Sequence, residues 1–258
     1  MNTNIKEVSA RVVTLNKDLV DSLLSCNISN RNARRLVIDK YKRDMAAGNW
    51  SLTHQGIAVS RDNVLIDGQH RLIACQELGY PPIQCVLVTG LDFKSQKNVD
   101  QQAKRSMTDV LKITFNKDFS NHAPAIARCI MMISDKGIMM NKVPTADEII
   151  KVVEEYLDEI GFACKLNKDA FFASSYLSAI AFIAKQNPAK LNDIAEFVNS
   201  VYTGEMLSKK MPAYHLRSYV LNTKGSGGGR EMIRERYLKT IKALECFLNG
   251  GEMGVLRI

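Results

Sequence analysis

The segment Ile66-Asp67-Gly68-Gln69-His70-Arg71-Leu72 (the turn) places a carboxylate, an imidazole and a guanidinium around one glycine. It lies between two apolar stretches and predicts a strand that turns into a helix. Amides in the first turn of a helix lack partners within the helix, and together with the helix dipole they attract anions. Gly68 would allow close approach, while His70 and Arg71 would add donors. The predicted site therefore binds phosphate through Gly68, Gln69, His70 and Arg71.

Asp67 is the one residue of the turn whose charge would repel a phosphate. Its side chain can cap the following helix. It can also hold a magnesium ion, accept a hydroxyl proton, or hydrogen-bond a ribose or a base. In an enzyme, the catalytic candidates would be Asp67, His70 and Arg71. The alternative without a ligand is a capped helix that exposes its His and Arg.

Upstream of the turn, Thr53, His54 and Gln55 precede a predicted hairpin strand. If the hairpin brings them beside the turn, they are nucleotide contacts. A polar loop next to a buried tryptophan is the alternative. His54 and His70 have no third ligand at a recognisable spacing, so no metal site is predicted.

Downstream, Ser106 can cap a helix, with Asp109 completing a capping box. Arg105 comes directly before that helix start, where an anion is favoured. Arg105 and Ser106 are therefore further predicted nucleotide contacts. An ordinary capped helix with outward charges is the alternative.

The net charge of +8 and the sequence pI of about 9.1 favour polyanionic partners, nucleic acid above all. Basic side chains cluster in two places, and solvated helix faces are the alternative. The predicted nucleic-acid contacts are Arg31, Arg34, Arg35, Arg230 and Arg234.

No membrane span is predicted, because no apolar run approaches the ~18–20 residues that a bilayer requires. No secretory signal is predicted either, because residues 1–13 have no apolar stretch after a basic start. The six cysteines form no CxxC pair and are expected to be reduced thiols. A cytoplasmic protein without membrane association is the expectation.

The first part of the chain alternates strands with helices. Strands are predicted at 8–15, 56–60, 64–66 and 83–89, the middle two forming a hairpin. Helices are predicted at 17–24 behind Asn16, from a cap at Ser29 or Asn30 to Gly48, and over 69–78.

From about residue 117 the pattern favours helices alone, near 120–135, 145–160, 168–185, 190–202, 212–221 and 230–249. Thr145 and Glu148 have the spacing of a capping box. Lys224–Arg230 is glycine-rich and predicts a loop, or a flap over an anion. The overall prediction is an α+β fold, with a mixed α/β domain over 1–116 and an all-helical domain over 117–258.

Taken together, the turn and its flanking segments resemble the ParB/sulfiredoxin superfamily over about residues 5–115. The most specific part is Ile66-Asp67-Gly68-Gln69-His70-Arg71-Leu72-Ile73-Ala74. It is most similar to phage and bacterial ParB N-terminal-like proteins of the DGQHR type. Gln69 stands where sulfiredoxin has its cysteine, so the resemblance does not extend to sulfinic-acid repair.

The resemblance implies that the turn binds nucleotide phosphates, which come from CTP in ParB and from ATP or ADP in other members. Gly68, Gln69, His70 and Arg71 would line these phosphates, with magnesium as a candidate companion ion. A ParB/sulfiredoxin-like nucleotide-binding domain would then occupy residues 1–116.

Three functions follow as hypotheses. The first is a ParB-like protein that binds a nucleoside triphosphate and DNA, as a monomer or a homodimer. The second is a phosphotransferase or nucleotide hydrolase acting on a small molecule or a modified nucleobase. The third is a non-catalytic phage protein that binds a host partner.

Overall fold

The computed structural model describes residues 8–98, 106–133, 142–205, 207–226 and 228–258. The fold is α+β, with eleven α-helices and one four-stranded sheet in these ranges. The chain divides into two compact units, residues 1–104 and 105–258. The first unit holds the sheet and three helices, and the second unit holds the other eight helices.

The first unit contains strands β1 (Ser9–Thr14), β2 (Ile57–Ser60), β3 (Leu65–Asp67) and β4 (Gln84–Leu91), and helices α1 (Lys17–Ser25), α2 (Arg35–Ala46) and α3 (Gln69–Glu77). The strand order is β1-β4-β2-β3. Strands β2 and β3 pair antiparallel, which confirms the predicted hairpin. Strand β4 pairs parallel with β2 and antiparallel with β1. The chain therefore crosses from β2 to β4 through β3 and α3, which places the start of α3 at the end of β3.

The predicted N-cap is correct for α1 and wrong for α2. Asn16 caps α1 by accepting the Leu19 amide at 2.9 Å, as predicted. The predicted cap of α2 at Ser29 or Asn30 is wrong, because α2 begins at Arg35 without a side-chain cap. Asn30 instead donates its amide to the main-chain oxygen of Leu65 at 2.7 Å. Its side-chain oxygen, the atom that a cap would use, accepts from Gln96 at 3.1 Å.

The second unit is built from helices α4 (Met107–Phe115), α5 (Ala123–Met132), α6 (Ala146–Glu155), α7 (Leu157–Leu166), α8 (Ser174–Gln186), α9 (Leu191–Thr203), α10 (Pro212–Asn222) and α11 (Arg230–Leu248). Helix α8 is central, since nine of its thirteen residues are buried. A helix that is apolar on all sides belongs in a core. Both predicted capping boxes, at the starts of α4 and α6, are present.

Three details differ from the sequence prediction. The helix predicted near 168–185 begins only at Ser174, after a separate 3-10 turn at Lys168–Ala170. The helix predicted at 145–160 is divided into α6 and α7 at Tyr156. Helix α4, which the prediction grouped with the first domain, lies in the second unit, where Leu111 is fully buried in the helical core.

The remaining sequence expectations concern cysteines and membranes. All six cysteines are free, and Cys75, Cys85 and Cys129 are buried. Across the described ranges, no helix has both the length and the apolar character needed to cross a bilayer.

Gly68 joins β3 to α3 in a conformation that suits glycine alone. Its φ of +106° lies in the region that side chains disfavour. A Cβ added there would lie 2.9 Å from Cγ1 of Ile57 and 3.3 Å from its Cα. The absent side chain therefore makes room for β2, so that α3 can begin against the sheet.

We expect Gly68→Ala to lower the free energy of unfolding by about 2–4 kcal/mol, since backbone strain and overpacking combine. Gly79→Ala is the matched control, because Gly79 also has a positive φ (+77°) but no atom within 4 Å of its added Cβ. Backbone strain alone should lower the free energy of unfolding of this control by about 1–2 kcal/mol. Urea denaturation measures both. Equal losses would contradict the role given to the contact with Ile57.

Candidate functional site

Three main-chain amides at the start of α3 have no partner among the residues that the structure describes. Gly68 is the N-cap residue and offers no side chain, and Asp67 does not cap the helix either. The first amide that bonds in the helical manner is that of Leu72, to the Gly68 oxygen at 3.0 Å. In the described part of the chain, the amides of residues 69–71 have no acceptor. These donors, aligned with the helix dipole, attract an anion.

Asp67 and Arg71 bind each other within the turn. One Asp67 carboxylate oxygen accepts the Gly68 amide at 2.6 Å, and the other accepts Nη2 of Arg71 at 2.9 Å. Nη1 of Arg71 donates to the main-chain oxygen of Gln55, just before β2. The Arg71 side chain is only 12% exposed. Both residues therefore hold the turn together, and both carboxylate oxygens of Asp67 are engaged.

Gln69 faces inward although it was predicted to line a phosphate. It is buried, and its amide nitrogen donates to the main-chain oxygen of Arg31 at 3.0 Å. Its amide oxygen accepts from Asn27 at 3.4 Å. Gln69 thus fixes the loop between α1 and α2 against the start of α3.

His70 is neutral in this arrangement. Its Nε2 accepts the main-chain amide of Arg34 at 3.0 Å, which assigns the ring proton to Nδ1. Burial lowers the pKa of His70, and the charges of Arg31 and Arg34 lower it further, against a smaller opposing effect of Asp67. The environment of His70 is therefore electropositive.

Two of the predicted nucleic-acid contacts, Arg31 and Arg34, lie beside this electropositive turn. Both are exposed, and within the described residues their guanidinium groups have no hydrogen-bond or ion-pair partner. Arg35 differs, because it forms a bidentate pair with Glu77 at 2.7 and 2.8 Å. The free cationic groups of the loop are therefore the two that lie next to His70.

The upstream segment reaches the turn through its main chain. Thr53, His54 and Gln55 are all exposed, and only the Gln55 oxygen contacts the turn, through Arg71. Trp50 donates its indole N–H to the main-chain oxygen of Gln84 at 2.8 Å. This segment is therefore a polar loop beside a tryptophan that has a structural role.

The other predicted site residues belong to the second unit or lie outside the described residues. Ser106 caps α4, and Arg105 lies outside the described ranges. Arg230 is exposed at the start of α11, where Arg234 pairs with Glu231 at 2.8 Å. The described residues contain no group of three or more His, Cys, Asp or Glu side chains that could hold a metal ion.

Sequence reasoning missed the role of the asparagines between α1 and α2. Asn27 contacts Gln69, and Asn30 contacts both Asn27 (2.8 Å) and the Leu65 oxygen. Closely spaced asparagines signal a hydrogen-bonded loop. That signal is present in the sequence, but it does not identify the strand and helix that the loop contacts.

No family model, curated protein or solved structure matches this chain. The geometry of the turn and its charges therefore carry the functional argument.

We expect Asp67→Asn and Arg71→Gln each to lower the free energy of unfolding by about 1–3 kcal/mol, because each removes a charged hydrogen bond that involves the mostly buried guanidinium of Arg71. A double-mutant cycle should give a coupling energy above about 1 kcal/mol. The exposed pair Lys112–Asp118 (2.6 Å) is the control, with an expected coupling of about 0–1 kcal/mol. Equal coupling in the two pairs would contradict a structural role for Asp67 and Arg71.

A pH dependence follows from the lowered pKa of His70. The unfolded chain binds this proton more tightly than the folded chain does, with an ordinary pKa of 6.5. The stability that neutral His70 contributes is therefore complete above about pH 6.5 and is lost as the pH falls through the folded pKa. Relative to His70→Gln, wild-type stability should decline faster on acidification. NMR titration of the His70 ring checks this, and a pKa at or above 6.5 would contradict it.

Proposed function

We propose that the chain is a ParB-like, nucleotide- and DNA-associated protein that binds phosphate groups at the start of α3. The observation that carries the proposal is that, among the described residues, neither the amides of residues 69–71 nor the adjacent guanidinium groups of Arg31 and Arg34 have a partner. Main-chain donors at a helix N-terminus and nearby arginines are the two commonest elements of a phosphate site.

The contacts differ from those expected from the resemblance. Phosphate oxygens would accept from the amides of residues 69–71 and from the Nδ1–H of His70. Arg31 and Arg34 would neutralise the phosphate charge. Arg71 and Gln69 would act indirectly, because their side chains are bound to Asp67, Gln55 and the α1–α2 loop.

The bound species in this proposal are ATP or CTP and the backbone of DNA. Magnesium would enter with the nucleotide, held mainly by its phosphates. The first unit would then be a ParB/sulfiredoxin-like nucleotide-binding domain, working in the cytoplasm of a bacterial or phage-infected cell. Phosphoryl transfer by Asp67 is less well supported, because both carboxylate oxygens already accept hydrogen bonds from the turn, which lowers their basicity.

Titration with ATP, CTP and duplex DNA, with and without magnesium at about 50 mM salt, tests the proposal. We expect Arg31→Gln and Arg34→Gln each to weaken binding about three- to tenfold. Arg11→Gln is the matched control, since Arg11 is exposed on β1 at the opposite edge of the sheet from β3. The control removes the same charge and should change affinity little.

The pKa of the His70 ring provides a second measurement, and binding by surface charge alone would not change it. A phosphate bound at the amides of residues 69–71 should raise the pKa of His70, because it counteracts the nearby arginines. Absence of binding to every ligand at low salt would overturn the proposal. So would equal losses in Arg31→Gln and Arg11→Gln, which would indicate binding by net charge only.

A further inference from the structure

The second unit contains a cavity of about 260 Å³ between α8, α10 and α11. Its wall is apolar and aromatic, formed by Phe171, Phe172, Tyr176 and Val220. Its charged lining residues are Arg236 and Lys224, and no Asp or Glu is among the lining residues. The cavity thus joins an apolar surface to positive charge that no lining carboxylate balances.

Arg236 is a buried cation with unused donor capacity. It is 6% exposed, and its Nη2 donates to the main-chain oxygens of Thr223 (2.9 Å) and Ser226 (3.3 Å). Its Nε–H is buried without an acceptor among the described residues. Glu235, the adjacent carboxylate, forms its ion pair with Lys239 at 2.7 Å and interacts with Arg236 only at longer range. Burying a guanidinium without an anionic partner is costly, so a ligand that supplies the anion would be stabilising.

Lys224 adds a second positive charge at the rim of the cavity. Its Nζ lies 5.5 Å from the centre of the Phe171 ring, a cation–π distance. In the part of the chain that the structure describes, Lys224 has no salt bridge. An anion near Arg236 can therefore also attract Lys224.

Residues 224–226, which precede the described start of α11, contribute to this cavity. Gly225 and Ser226 line it together with Lys224, and the Ser226 oxygen is held by Arg236. Residues 224–226 therefore lie beside the buried guanidinium of Arg236.

We propose that this cavity binds a small organic anion, whose carboxylate or phosphate group lies at Arg236 and Lys224 and whose apolar part packs on Phe171 and Tyr176. The volume is just below the ~300 Å³ at which pockets begin to hold drug-sized ligands. The ligand class is therefore a small aromatic or aliphatic acid, or a phosphate monoester of similar size. The site is separate from the turn of the first unit and does not depend on the function proposed for it.

Calorimetric titration of the full chain with benzoate, phenyl phosphate, inorganic phosphate and benzyl alcohol tests the proposal. We expect one or both aromatic anions to bind, and to bind more tightly than inorganic phosphate or the uncharged alcohol. Preference between benzoate and phenyl phosphate identifies the anionic group.

Variants locate the binding. Lys224→Gln should weaken binding about threefold or more, and Arg236→Lys about tenfold, since lysine cannot reproduce the guanidinium fork. Lys242→Gln, an exposed change on α11 away from the cavity, removes one charge and should have no effect. Arg31→Gln should also have no effect, which separates this cavity from the turn. Circular dichroism verifies folding of Arg236→Lys, and Lys224→Gln tests the site if that variant is unfolded.

Failure of both aromatic anions to bind at about 10 mM, well above common ligand concentrations, would overturn the proposal. So would equal effects of Lys224→Gln and Lys242→Gln. Loss of phenyl phosphate binding in Arg31→Gln would assign the ligand to the turn instead, and would support the proposed function while removing this one.

Discussion

The Arg71 side chain joins three segments of the first unit. It binds the Asp67 carboxylate at the end of β3 and the Gln55 oxygen just before β2, while its own main chain lies in the first turn of α3. A guanidinium can do this because its donors form a rigid planar fork. The orientation of α3 relative to the β2–β3 hairpin depends on this contact, together with the close approach of Gly68 to Ile57.

In this arrangement, the residues that stabilise the turn differ from the groups that could bind a ligand. The side chains of Asp67, Gln69 and Arg71 satisfy one another or the neighbouring loop, so they stabilise the turn. The first-turn amides of α3 face no protein acceptor in the described chain, and Arg31 and Arg34 supply charge beside them. Binding chemistry in this proposal comes from the main chain and an adjacent loop, and the motif side chains serve to position them.

The two proposed sites place positive charge in different surroundings. Arg31 and Arg34 are exposed, so salt would screen their attraction for a phosphate. Arg236 is buried beside aromatic rings, where an ionic contact is stronger and screening is weak. A large, hydrated polyanion suits the first environment, and a small anion with an apolar part suits the second.

Local signals were sufficient for much of the secondary structure. Asn16, the Ser106–Asp109 box and the Thr145–Glu148 box cap helices as predicted, because each acts within three residues of chain. Asn30 also has the residue type of a cap, yet its side-chain oxygen accepts from Gln96 and its amide nitrogen donates to Leu65. The same limit applies to Gln69, whose side chain bonds a residue 38 positions away in the α1–α2 loop, and to Arg236, which reaches the Thr223 oxygen only when α10 and α11 pack. Residue types and spacing encode short-range hydrogen bonds, whereas the partner of a long side chain is decided by which elements the core brings together.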